Sequence, residues 1–367
     1  KGFKKSTLNK NKFSKKINVP FCPESKLSGI GNTDFMQEIW YHKNFQLNNK
    51  WKDKKIYIHF GGVDYQCSIY VNKVKVGENI GGSTPFSCDI SNAVKFNETN
   101  DLKVYVIDRR CPGSMDPNPW YFGGELGFDN IKLYKKWNLD KRRTQPRGKQ
   151  SPHRDSWGCL YTRTTGIWQT VWLEAADKKH LKNVFIVPNV KASSFELTPS
   201  YSYNFDGILA IDVSFKNKKI STNTFSTKDK KLKVKIKNPK LWSIEKPNLY
   251  NFIIKLKSKD QKHTFDTVKS YGGLRSIEIR KNRVYLNNKP LYQRLVLDQG
   301  FYPQGIWTAP SDKDLKNDIL LSIKSGFNGA RLHEKVFEDR FHYWADKLGY
   351  ITWAEFPNWG LNENAKA

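Results

Sequence analysis

The last eighty residues constrain the fold most, because their hydrophobic period changes from strand to helix and back. From Asn287 the pattern reads strand, helix, strand, helix, strand, with strands at Pro290–Asp298, Phe327–His333 and Tyr350–Glu355. Ser311 can cap the first helix with Asp314 three residues on, and Leu315, Ile319 and Ile323 fall on one face before Gly326 closes it. The second helix buries Phe337, Phe341, Trp344 and Leu348 and ends at Gly349. Strands alternating with helices of this length predict a parallel sheet of βαβ units. Asp298, Arg331, His333 and Glu355 fall where the strands end, which in a (β/α)₈ barrel is the active-site face. A whole barrel needs roughly 250 residues, so about three of its eight strands are expected here. The chain reads as the front part of an enzyme.

Upstream the period is two. From about Phe35 to Ala175 short strands alternate with turn signals, as at Glu38–Leu47, Lys55–Phe60, Cys67–Val71, Val74–Val76, Leu102–Ile107 and Trp168–Leu173. Strand after strand without a helix predicts a sandwich or jelly roll. Asn72-Lys73 fits a two-residue hairpin, although Lys73 is an unfavourable residue where φ must be positive. Residues 111–130 and 140–158 read as long loops. A second all-β segment, from about Lys178 to Ser276, has strands at Val184–Val187, Gly207–Phe215, Leu232–Lys237, Tyr250–Leu256 and His263–Val268. Its length and spacing fit an immunoglobulin-like sandwich.

A length of 367 residues suits two or three domains. The formal charge of +28 invites a nucleic-acid reading. Two features oppose it. There are roughly four lysines for each arginine, whereas base and phosphate recognition favours arginine. Lysines also alternate with apolar residues in Lys231-Leu232-Lys233-Val234-Lys235-Ile236-Lys237, which places them on the solvent face of a strand. Residues 1–16 are lysine-rich, lack periodicity, and are expected to be poorly ordered. No apolar run approaches the roughly 18 residues of a membrane span. Cys22, Cys67, Cys88, Cys111 and Cys159 are odd in number and widely spaced, which argues for free thiols over a disulfide framework or a zinc site.

Specific strings then become recognisable. His59-Phe60-Gly61-Gly62-Val63-Asp64-Tyr65, Val71-Asn72, Gly81-Gly82-Ser83-Thr84-Pro85-Phe86 and Thr164-Thr165-Gly166-Ile167-Trp168-Gln169-Thr170-Val171-Trp172-Leu173-Glu174 resemble the jelly-roll sugar-binding domain of the β-galactosidase-like glycoside hydrolases of family 2. Pro239-Lys240-Leu241-Trp242-Ser243 and Pro247-Asn248-Leu249-Tyr250 are similar to that family's immunoglobulin-like domain. Gly273-Leu274-Arg275 and Val284–Pro290 resemble the approach to its catalytic barrel, with Asn288 in place of the usual glycine.

The resemblance implies a multidomain, mainly β chain: a lysine-rich segment at 1–20, a jelly roll at 21–176, an immunoglobulin-like sandwich at 177–278, and the first three β/α units of a truncated (β/α)₈ barrel at 279–367. It implies hydrolysis of terminal β-linked sugars with retention, using two glutamates at strands four and seven. Both are therefore expected beyond Ala367, and no catalytic residue within the chain. Galactosides are the default substrate, with glucuronides and mannosides open. Arg331 takes the position of the family's active-site arginine. His333 lies one position from its sugar-contacting histidine, because the chain has Arg-Leu-His where many members have Arg-x-x-His. Asp298, Glu355 and Trp359 complete the expected substrate-binding set. Asn358 and Leu160 stand where magnesium-dependent, galactose-specific members carry acids, so neither metal nor cofactor is expected. A carbohydrate is the expected partner, nucleic acid and membrane are not, and a homo-oligomer stays open. The competing reading is a carbohydrate-binding or structural β-sandwich protein with a lost, inactive barrel.

Overall fold

The computed structural model describes residues 8–9, 13–34, 36–108, 146–150, 155–156 and 158–358. Most of the lysine-rich start, the loop at 111–130, the greater part of the loop at 140–158, Cys111 and Trp359 lie outside the described residues.

The first sandwich sets a four-stranded antiparallel sheet, ordered Glu38–Gln46, Thr99–Ile107, Gln66–Val71, Val74–Ile80, against a three-stranded sheet of Phe86–Asp89, Lys55–Phe60 and Val171–Ala176. Period-two alternation builds its core: Ile56, Ile58 and Phe60 are fully or nearly fully buried beside Ile69, Val71, Val104 and Val106. The Asn72-Lys73 hairpin forms with both residues at positive φ, 49° and 70°. Lysine accepts that conformation because the right-handed twist of the flanking strands selects it. The strand expected at Trp168–Leu173 runs instead over Val171–Ala176. Trp168 lies before it, fully buried, its indole N–H donating to the Gly82 carbonyl at 2.7 Å.

The second sandwich packs Leu181–Asn189, Ser194–Tyr201 and Leu232–Lys235 against a four-stranded sheet of Lys218–Ser226, Gly207–Phe215, Tyr250–Ser258 and Thr264–Gly272. Leu232 and Val234 are fully buried while Lys233 and Lys235 face solvent, as the alternation requires.

A three-stranded meander follows, Ile277–Arg280, Arg283–Leu286 and Lys289–Leu291. It corrects the expected strand Pro290–Asp298. Asn287 and Asn288 both take positive φ, 50° and 66°, and fold the chain into a hairpin in which Pro290 faces Tyr285. The parallel sheet begins only at Leu295–Asp298 and continues through Gly329–Leu332 and Ile351–Ala354. Helices Asp312–Lys324 and Asp339–Leu348 cover one face, burying Leu315, Ile319, Phe341 and Ala345 against Ala330 and Leu332. Ser311 occupies the N-cap position, but its hydroxyl donates to Asp314 at 2.6 Å instead of accepting from the backbone. Ile323 is 37% exposed, so the buried stripe is shorter than expected.

The three parts interlock. Asp346 of the second helix takes hydrogen bonds from Arg275 at 2.8 Å and Tyr271 at 3.1 Å, and its carbonyl takes one from the Trp242 indole at 2.8 Å. From the first sandwich, the Tyr161 hydroxyl donates to Gln299 at 2.8 Å while its ring stacks on Phe301 at 4.1 Å.

Candidate functional site

Strand register decides which side chains meet. Leu297, Arg331 and Trp353 are aligned across the three parallel strands, and they leave the face opposite the helices open. His333 and Glu355 follow two residues after Arg331 and Trp353, so they share that face. There the Arg331 Nε–H donates to Glu355 Oε1. His333 Nδ1 lies 2.7 Å from Glu355 Oε2, and the Glu334 backbone N–H donates to that oxygen at 3.2 Å. Burial raises the Glu355 pKa, but the hydrogen bonds from His333 and Arg331 outweigh it and hold the carboxyl below the usual glutamate range. Arg331 keeps a side chain 49% exposed, so its guanidinium both clasps Glu355 and reaches the open face.

Asp298 lies outside this cluster. It aligns with Leu332 and Ala354, and its carboxylate accepts from the Gly300 N–H at 2.9 Å. Burial pushes its pKa up against the pull of that bond and of Lys335. Trp359 lies outside the described residues.

Two residues of the site escaped sequence reasoning. Glu334 is buried at φ 57°, a left-handed conformation unusual for glutamate, and its Oε2 accepts from the Asn358 N–H at 2.9 Å. Its adjacency to His333 was the one available signal. Lys149 comes from the first sandwich's 146–150 segment, whose Gly148 sits directly against the Glu334 carbonyl and Pro357. Burial lowers the Lys149 pKa, opposed by Cys159, Glu334 and Glu355. No local pattern reveals a contact across 185 positions of sequence. The segment is anchored on its far side: Arg147 pairs with Asp108, and Gln150 donates to Asp64 at 2.8 Å.

Ligand atoms of His333, Glu334 and Glu355 lie within 4.8 Å of one another, a spacing that a divalent cation could span. Arg331 already occupies one Glu355 oxygen and Lys149 stands close by, so a cation there would displace one positive charge against another. The donor set suits a hydrogen-bonded carboxylate platform better than a metal site.

Known proteins resemble this chain over most of its length. The profile "Glycosyl hydrolases family 2, sugar binding domain" matches residues 9–136, and "Glycosyl hydrolases family 2" matches 179–275. The chain carries two domains of glycosyl hydrolase family 2. Among curated family relatives, a beta-galactosidase of Thermoanaerobacter pseudethanolicus is 26% identical over 340 residues, covering 89% of this chain and 40% of its own length. A putative beta-glucuronidase of Formosa agariphila is 26% identical over 335 residues, covering 87% and 35%. The chain thus spans about two fifths of the length of these relatives. Solved β-glucuronidases share the fold: that of Bacteroides uniformis at a TM-score of 0.72 and 20% identity, covering 93% of this chain and 38% of that one, and that of Dictyoglomus thermophilum at 0.72 and 22%, covering 94% and 55%. Among the described residues the two family-2 matches are followed by a three-stranded parallel sheet that does not close into a barrel.

Proposed function

We propose that this chain is the N-terminal portion of a retaining glycoside hydrolase that removes terminal β-linked sugars, with galactosides or glucuronides as its substrates. The observation that carries the reading is the gathering of Arg331, His333 and Glu355 at the C-terminal ends of parallel strands, behind two family-2 domains. The chain divides into a jelly roll at 21–176, a sandwich at 177–278 and a barrel portion from 279 onward. Glu355 is a positioning group. A general acid needs a raised pKa, and this carboxyl is held low by its bonds. Arg331 holds Glu355 and offers its exposed donors to sugar oxygens or to a neighbouring catalytic carboxylate. His333 borders the sugar site, Asp298 faces the helices and does not, and the nucleophile and acid come from outside these 367 residues.

The test is hydrolysis of aryl β-galactosides and β-glucuronides. The 367-residue chain should show none above a protein-free blank, and the chain extended by its downstream coding sequence should. Turnover by the short chain that disappears in Glu355→Ala or Asp298→Ala would place the catalytic pair within it. A stop codon directly after Ala367 would favour a carbohydrate-binding or structural protein instead.

A further inference from the structure

The outer face of the three-stranded sheet in the second sandwich gathers cations along one edge. Leu232, Val234 and Ile236 are buried, so Lys231, Lys233, Lys235 and Lys237 all emerge on the opposite side of the edge strand. The Ile236 N–H donates to the Ser193 carbonyl at 2.8 Å, which carries the alternation beyond Lys235. Two residues of strand span roughly 6.7 Å, so the four lysines are rooted in a row about 20 Å long. Register sets Val187, Glu196 and Lys233 in one line across the sheet, with Phe185 beside Thr198. Val184, Ile186, Phe195 and Leu197 face the core, and Phe185 and Val187 stand on the lysine side, 64% and 40% exposed.

Pairing separates these lysines from others on the domain. Asp212 holds Lys219 at 2.7 Å and Lys255 at 3.7 Å, while Asp206 holds Lys228 at 3.5 Å and Lys259 at 3.2 Å. Among the described residues Lys231, Lys233, Lys235 and Lys237 enter no ion pair. Glu196, the acid of this face, accepts instead from the Asn189 amide at 3.1 Å.

We infer that this face docks on an anionic lipid bilayer, so that the second sandwich lies on a membrane surface without crossing it. No described helix is long and apolar enough to cross one, and a peripheral contact needs none. Lysine ammonium groups are drawn to anionic headgroups by an attraction that requires no fixed geometry. Their stems lie along apolar surface while the charge stays in water. Phe185 and Val187 supply the apolar part, which enters the boundary between headgroups and acyl chains. A nucleic-acid strand fits less well. It would call for the planar forks of arginine or a series of rings for its bases, and Phe185 is the one aromatic side chain on this face among the described residues.

Co-sedimentation of the 367-residue chain with vesicles tests the surface, using phosphatidylcholine alone and an equal mixture with phosphatidylserine. The chain should sediment with the anionic mixture only, and the binding seen at about 0.1 M salt should vanish near about 1 M, where charges are screened within about 3 Å. Lys231→Gln, Lys233→Gln, Lys235→Gln and Lys237→Gln made together should weaken binding on the order of tenfold or more. Lys219→Gln, Lys255→Gln, Lys257→Gln and Lys269→Gln, on the opposite sheet, remove equal charge and should weaken it by no more than about threefold. Phe185→Ser should also weaken it, and unchanged melting temperatures in all variants would separate lost binding from lost folding. Equal losses in the two fourfold variants would overturn the inference, because net charge and not this face would then govern binding. So would Phe185→Ser binding like wild type, or no preference for the anionic vesicles. Tighter binding to a single-stranded oligonucleotide than to those vesicles, lost in the edge-strand variant, would reassign the face to nucleic acid.

Discussion

Glu355 is the residue on which the polar contacts at the ends of the parallel strands converge, and its ionisation carries a measurable consequence. Its pKa in the folded chain is lowered, so it contributes stability above the unfolded value of about 4.3 and loses it as pH falls through the lower folded value. Glu355→Gln keeps the shape but not the charge that Arg331 and His333 bind. The variant should melt below wild type at pH 6, and the gap should close below about pH 4. Thermal melts across that range check it. A gap independent of pH would mean that the carboxylate's charge is irrelevant to this network.

At the scale of elements, termini and turns carry information that hydrophobic pattern does not. Gly349 ends the second helix at φ 74°, and a β-carbon there would lie 2.0 Å from the Ile244 carbonyl oxygen of the neighbouring sandwich. Gly326, beyond the end of the first helix, has φ 89° and open space around it. Both Gly→Ala changes incur the left-handed backbone cost of about 1–2 kcal/mol. Only Gly349→Ala adds a backbone clash between domains. Gly349→Ala should therefore lower the denaturation midpoint clearly more than Gly326→Ala. Equal losses would show that the helix end does not brace the sandwich. The meander shows the same principle from the other side, because Asn287 and Asn288 turn the chain where an apolar pattern alone suggested a continuous strand.

Across the whole molecule, protection should be uneven. The two sandwiches have closed cores, whereas the parallel sheet exposes Leu297 at 48%, Trp353 at 56% and Phe356 at 57%. An open sheet with unpaired outer strands and bare apolar groups opens more readily than a filled sandwich. Amide hydrogen exchange should be faster in residues 295–354 than in the strands of the first sandwich. Equal protection would mean that the contacts through Asp346 and Tyr161 hold the parallel sheet as firmly as its own core would.

The amino-acid sequence by itself determined the order of architectures: two sandwiches, then βαβ units. That follows because side-chain period is a local property, two for a strand and 3.6 for a helix. Leu232-Lys233-Val234-Lys235 and the stripe through Phe341 show it directly. The same locality placed Arg331, His333 and Glu355 at strand ends, but could not say that they meet. Register across three strands decided that, and it turned Asp298 to the other face. Tertiary structure alone delivered Lys149 to Glu334 and Glu355, and aligned Val187, Glu196 and Lys233 on one surface. Such contacts join residues far apart in the chain, and their energy resides in burial and charge that exist only once the strands have paired.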